Sequence, residues 1–182
     1  MKNSKVHINS HIIILGYMAS GKSLIGKNLA NKLSLNFIDL DDVIESTEKM
    51  TISEIFKLKG ELEFRKLENK ILINSLNSKN CSVISLGGGT PCYFNNMNLI
   101  NDNSKNVFFI NTSNDMLSRR LYKEKNNRPM ISQLKSLKMI KEYVSKHVFE
   151  RIHFYRMANY TINAQEKKED EITNSIIEIL SQ

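Results

Sequence analysis

Gly16-Tyr17-Met18-Ala19-Ser20-Gly21-Lys22-Ser23 is the stretch that decides the fold. It matches G-x-x-x-x-G-K-[ST] at every fixed position. Before it, residues 11–15 are a short apolar run that reads as a buried strand ending at Gly16. After it, Leu24, Ile25, Leu29, Ala30 and Leu33 recur at helical spacing across residues 22–34. In this context the glycines permit a loop whose backbone N–H groups wrap phosphates, and the helix N-terminus adds its own N–H groups and dipole. Ala19, Ser20, Gly21, Lys22, Ser23 and Leu24 are therefore the candidate nucleotide-binding run. Lys22 would reach the β- and γ-phosphates of a nucleoside triphosphate, and the Ser23 hydroxyl would ligate magnesium. The motif does not say what receives the phosphate.

Working outward, strand and helix signals alternate. Residues 35–40 are a short strand candidate. Thr51-Ile52-Ser53-Glu54 matches a capping box and predicts a short helix ending near Gly60. Residues 61–78 continue as an amphipathic helix with Leu62, Leu67, Ile71, Leu72 and Leu76 as its apolar members. Residues 81–86 read as a strand stopped by Gly87-Gly88-Gly89, and 106–111 as another. Ser113 is the expected N-cap of a helix through Leu121. Residues 122–130 are polar and read as an exposed loop. A long helix over roughly 134–157, a short strand at 160–163 and a final helix at 170–181 complete the pattern. Apolar strands with little alternation, separated by helices, predict a parallel sheet covered on both faces. Ligands of such sheets bind at the carboxyl ends of the strands, where the informative residues cluster.

Composition supports one domain over residues 1–182. Hydrophobic residues make up 41% and charged residues 25%, which argues against a wholly disordered chain. The longest apolar runs, residues 12–15 and 107–110, are far below the ~18 residues that span a bilayer. Residues 1–10 are polar, lack a signal-peptide core and are expected to form a flexible tail. Cys81 and Cys92 are too few for a disulfide framework, and His7, His11, His147 and His153 form no metal-ligand spacing. A cytoplasmic setting without a membrane fits these features. The net charge is +7, but the cations are scattered, which suits a lysine-coated surface and not a nucleic-acid partner. Only six of the 26 cations are arginine, so Arg65, Arg119, Arg120, Arg128, Arg151 and Arg156 stand out as candidates for anion binding.

Asp39 and Asp41, two apart at the end of the second strand candidate, would share one face of an extended chain. One could serve magnesium and the other accept a hydrogen bond from a substrate hydroxyl. Equally, both could be cap and first-turn acids of the helix that contains Ile44. Three consecutive glycines at 87–89 let a ligand approach the backbone closely, or simply make a tight turn. Arg65 could be an ordinary helical ion-pair residue with Glu61 at i,i+4.

Taken in order, Gly16–Ser23, Phe37-Ile38-Asp39-Leu40-Asp41 with Ile44-Glu45, Phe64-Arg65, Leu86-Gly87-Gly88-Gly89, Arg128-Pro129, and Arg151 with Tyr155-Arg156 resemble the shikimate kinases. The likeness runs from residue 12 to about residue 163. It implies an α/β fold of three layers, a five-stranded parallel sheet between helices of the P-loop kinase type, with a mobile lid over residues 122–131. It implies transfer of the γ-phosphate of ATP, with Mg2+, to the 3-hydroxyl of shikimate, on the route to chorismate and the aromatic amino acids, by a monomer. By position, Lys22 resembles the phosphate-binding lysine, Ser23 the magnesium ligand and Asp39 the acid near the metal. Asp41 resembles the acid that holds the shikimate hydroxyls, as base or as orienting group. Arg65 and Arg151 resemble the carboxylate-binding pair, Gly88 the glycine that touches substrate, and Arg128 the lid arginine on ATP, with Arg120 a looser match near the phosphates. Ala19 departs from the pattern, standing where many members have glycine. The rival readings are another small-molecule kinase of this fold, such as a gluconate kinase, or a non-catalytic nucleotide-binding protein.

Overall fold

The structure, a computed structural model, describes residues 8–125 and 129–182. The chain runs β1 (Ile12–Leu15), α1 (Lys22–Leu33), β2 (Asn36–Asp39), α2 (Leu40–Glu48), α3 (Ile52–Leu76), β3 (Ser82–Ser85), a 3-10 turn (Thr90–Cys92), α4 (Asn96–Asn103), β4 (Asn106–Asn111), α5 (Asn114–Glu124), α6 (Pro129–Ser132), α7 (Leu137–Tyr155), β5 (Tyr160–Asn163) and α8 (Glu169–Leu180). The five strands form one sheet in the order β2-β3-β1-β4-β5, and every pairing is parallel. This is the three-layer α/β/α arrangement expected from the alternating pattern.

The central strand β1 shows why the layers form. Its four residues are fully buried, and successive side chains point to opposite faces. Ile12 and Ile14 join Ile25 and Leu29 of α1 and Ile172 and Ile176 of α8. Ile13 and Leu15 join Leu40, Phe64, Leu72, Leu117 and Val144 on the other face. A strand apolar on both sides is stable only with helices over both sides. His11, just before β1, ties the sheet to α3: one ring nitrogen accepts from the Ser82 N–H, and the other pairs with the Leu76 carbonyl at 3.1 Å.

Thr51 closes the expected capping box with Glu54. Gly60, at φ 78° and ψ 170°, breaks α3 into two helical pieces, as the sequence suggested. The buried face of the second piece is Phe64, Arg65, Glu68, Ile71 and Leu72. Leu62 is a correction: it is 61% exposed. It lies two residues, about 200°, from Phe64 around the helix, so it points away from the core.

Two further expectations change. Residues 122–124 are the last turn of α5, not loop, and Ile131 is fully buried. Ile8 packs against the α1/α8 face and Ser10 bonds to Ser104 and Asn106, so these two do not belong to a loose tail. Residues 1–7 and Arg128 lie outside the described residues. Among those described, no helix is long and apolar enough to cross a membrane.

Candidate active site

The site assembles at the carboxyl ends of β1, β2 and β3. After β1 the chain turns back at Gly16, where a Cβ would lie 2.8 Å from the Ile110 carbonyl oxygen. Gly21 takes φ 94° to open α1, a conformation natural to glycine. Ala19 also takes positive φ, 62°. This is the position where the sequence departs from the expected glycine, and the alanine adopts the left-handed backbone all the same. Lys22 is buried, and its Nζ donates to the Tyr17 carbonyl at 3.0 Å. Ser23 and Leu24 are exposed in the first turn of α1, whose leading N–H groups have no partner within the helix. Arg120, from α5, donates to the Ala19 carbonyl at 3.0 Å, so the looser of the sequence matches does sit on this loop. Arg119 is exposed and paired with Asp115. Arg156 is also exposed.

Asp39 and Asp41 are not related as two residues of one strand face. The strand ends at Asp39, which is the N-cap of α2: its Oδ1 accepts from the Asp41 N–H at 3.1 Å. Cap and site roles therefore coexist. Burial pushes the Asp41 carboxyl up to about 6, with Asp39 adding to the effect and Lys22 opposing it. Ser23 and Asp39 offer only hard oxygen donors, which suits Mg2+. Among the described residues no three His, Cys, Asp or Glu side chains could hold a metal by themselves.

The glycine triplet is the hub. A Cβ at Gly87 would lie 2.7 Å from Asp41 Oδ1. One at Gly88 would lie 3.2 Å from the Met18 nitrogen of the phosphate loop. One at Gly89 would lie 2.7 Å from both terminal nitrogens of Arg65. Each missing side chain makes room for a different component, so the tight-turn reading is too small. Gly88 thus brings the turn against the nucleotide loop, while Gly87 and Gly89 hold the acid and the arginine.

Arg65 is nearly buried and donates to Glu68 at 2.8 Å. Glu68 is 1% exposed and also accepts from Thr90 Oγ1 at 2.6 Å. Arg151, on α7, is partly buried. It lies over the Tyr17 ring, with Tyr155 among the groups that act on its charge. Both guanidinium groups act on the Cys92 thiol; burial, the larger influence, pushes that thiol up to about 11. Arg65 and Arg151 therefore flank the same 3-10 turn from different helices. Sequence reasoning missed Glu68, Tyr17 and Tyr155 as supports. Glu68 stands three residues after Arg65, a helical ion-pair spacing that could have flagged it.

The pattern that defines the shikimate kinase family matches residues 18–181 of this chain. A shikimate kinase of Flavobacterium johnsoniae is 38% identical over 170 residues, spanning 93% of this chain and 98% of that protein. The crystal structure of shikimate kinase from Bacteroides thetaiotaomicron superposes with a TM-score of 0.87 at 36% identity, over 95% of this chain and 99% of that one. Shikimate kinase from Acinetobacter baumannii in complex with shikimate gives a TM-score of 0.84 at 26% identity, over 94% and 92%.

Proposed function

We propose that this chain, which belongs to the shikimate kinase family, transfers the γ-phosphate of ATP to the 3-hydroxyl of shikimate, giving shikimate 3-phosphate and ADP. One observation carries the reading: a single glycine turn packs against the phosphate loop, the Asp41 carboxyl and the Arg65 guanidinium. A phosphate donor, a hydroxyl acceptor and a carboxylate anchor are the three things this reaction must hold together.

Phosphoryl transfer asks the protein mainly for positioning and charge stabilisation. The backbone of residues 19–24 wraps the ATP phosphates. Lys22 leaves the Tyr17 carbonyl for the transferred phosphate. Arg120 braces the loop, and Arg128 is assigned to ATP from the lid. Arg65 and Arg151 grip the shikimate carboxylate, since planar guanidinium groups suit bidentate carboxylate binding. Gly88 lies against the acceptor ring. Asp41 holds the 3-hydroxyl; a carboxyl raised to about 6 is ionised at neutral pH yet basic enough to take a proton. Ser23 and Asp39 would hold Mg2+, which neutralises phosphate charge when bound. The enzyme is read as a cytoplasmic monomer.

The test is ADP release measured by a coupled assay with shikimate, gluconate and nucleoside monophosphates as acceptors. Turnover with shikimate alone is expected. Preference for gluconate or a nucleotide would overturn the assignment.

A further inference from the structure

Arg65 is held from four sides, and the two carboxylates on it are not equivalent. The terminal nitrogens of the guanidinium lie against Gly89, and the group lies over the Tyr93 ring, 4.2 Å from its centroid. Nη1 donates to Glu68 at 2.8 Å, and Nη2 faces Glu61 Oε1 at 3.5 Å. The Glu68 side chain is 1% exposed and fixed by Thr90, so it is a permanent counter-ion. The Glu61 side chain is 56% exposed. It is the first residue after the Gly60 break, and the same oxygen that faces Arg65 accepts from the Tyr93 hydroxyl at 2.8 Å.

We propose that Glu61 is a resident carboxylate: it occupies the free edge of Arg65 until the carboxylate of the acceptor displaces it, and Tyr93 holds it in that position. This rests on reading Arg65 as a carboxylate binder. The charge count supports it. Arg65 and Arg151 supply two positive charges, and Glu61 and Glu68 balance them before any acceptor arrives. An incoming carboxylate must therefore exchange with Glu61, and not merely add to it. The long 3.5 Å contact and the exposure of Glu61 make that exchange easy, because an exposed ion pair contributes little. Tyr93 both stacks on the arginine and anchors its competitor, so Glu61 and Tyr93 are positioning residues that set acceptor affinity through Arg65.

The experiment measures KM for shikimate and kcat at saturating ATP. Glu61→Gln keeps the Tyr93 hydrogen bond and removes the charge. It is expected to lower KM about three- to tenfold, with kcat and melting temperature nearly unchanged. Tyr93→Phe keeps the stack and releases Glu61, and is expected to shift KM the same way by less. With the carboxamide of shikimate as acceptor, Glu61→Gln and wild type should have equal KM. An unchanged or raised KM for shikimate in Glu61→Gln overturns the proposal, as does an equal fold-change with the carboxamide. Arg65→Lys is measured beside them. If it leaves KM for shikimate unmoved, the reading of Arg65 itself fails. If it raises KM while Glu61→Gln does not lower it, only the role of Glu61 fails.

Discussion

The Tyr155 hydroxyl donates to the Gly88 carbonyl at 2.6 Å. Tyr155 is buried, and its ring packs against Phe109 of β4. One turn earlier on α7 stands Arg151, whose charge acts on the Tyr155 hydroxyl. Gly88 in turn abuts the phosphate loop at Met18. The bond therefore ties α7, the helix that carries Arg151, to the glycine turn that abuts the loop at Met18.

Tyr155→Phe keeps the ring packing and removes only that tie. Losing a buried donor is expected to lower stability by about 1–2 kcal/mol. KM for shikimate should rise severalfold through the loosened Arg151, with KM for ATP nearly unchanged. Urea unfolding and steady-state kinetics on one preparation check this; a variant indistinguishable from wild type in both would remove Tyr155 from the site.

Gly89→Ala separates sterics from backbone strain. Gly89 has φ −98°, so alanine fits the backbone, and only the clash with Arg65 remains. The guanidinium is wedged by Tyr93 and Glu68 and must move. KM for shikimate is expected to rise more than about tenfold, with a lowered melting temperature as the buried Arg65–Glu68 pair is disturbed. A normal KM would show that Arg65 need not sit against this glycine.

Asp41 makes a pH prediction with a definite sign. Its carboxyl rises from 3.8 to about 6 on folding, so the folded chain binds the extra proton between those values. The ionised group thus costs stability, of order 3 kcal/mol, fully above pH 6, and the cost fades as pH falls toward 4. Asp41→Asn should therefore be more stable than wild type at pH 7 and lose that advantage near pH 4. The same substitution should largely abolish turnover with little change in ATP affinity. In the wild type, kcat/KM for shikimate should fall as pH drops below about 6. A flat profile from pH 5 to 8 would argue against a role for the ionised carboxylate.

The nucleotide half is tested at Lys22 and Arg120. Lys22→Ala should abolish turnover while circular dichroism stays native. Arg120→Ala removes the bond to the Ala19 carbonyl and should raise KM for ATP while leaving KM for shikimate alone. Equal effects on both substrates would mean that Arg120 supports the fold and not the loop.

Much of this was legible from the residues alone. Ile12–Leu15, the glycine-lysine loop and the helix behind it specify a strand, a phosphate cradle and a helix because each depends on local conformation and periodicity. The capping box at Thr51 and the break at Gly60 are local for the same reason. The split of β1 between two apolar faces likewise announces a covered parallel sheet.

What the sequence could not fix is which residues separated along the chain share a volume. Gly87, Gly88 and Gly89 read as a place for close ligand approach or as a tight turn; only the neighbours of β3 in the sheet make them seats for Asp41, the phosphate loop and Arg65. Asp39 and Asp41 differ because the strand ends between them, a boundary set by the start of α2. Leu62 went the wrong way, exposed where the apolar pattern counted it with the helix's apolar members, because helix phase decides burial. Local rules act through bonds and nearest turns and leave their mark in spacing. The site is made by contacts among β1, α3, β3 and α7, and those exist only once the core has closed.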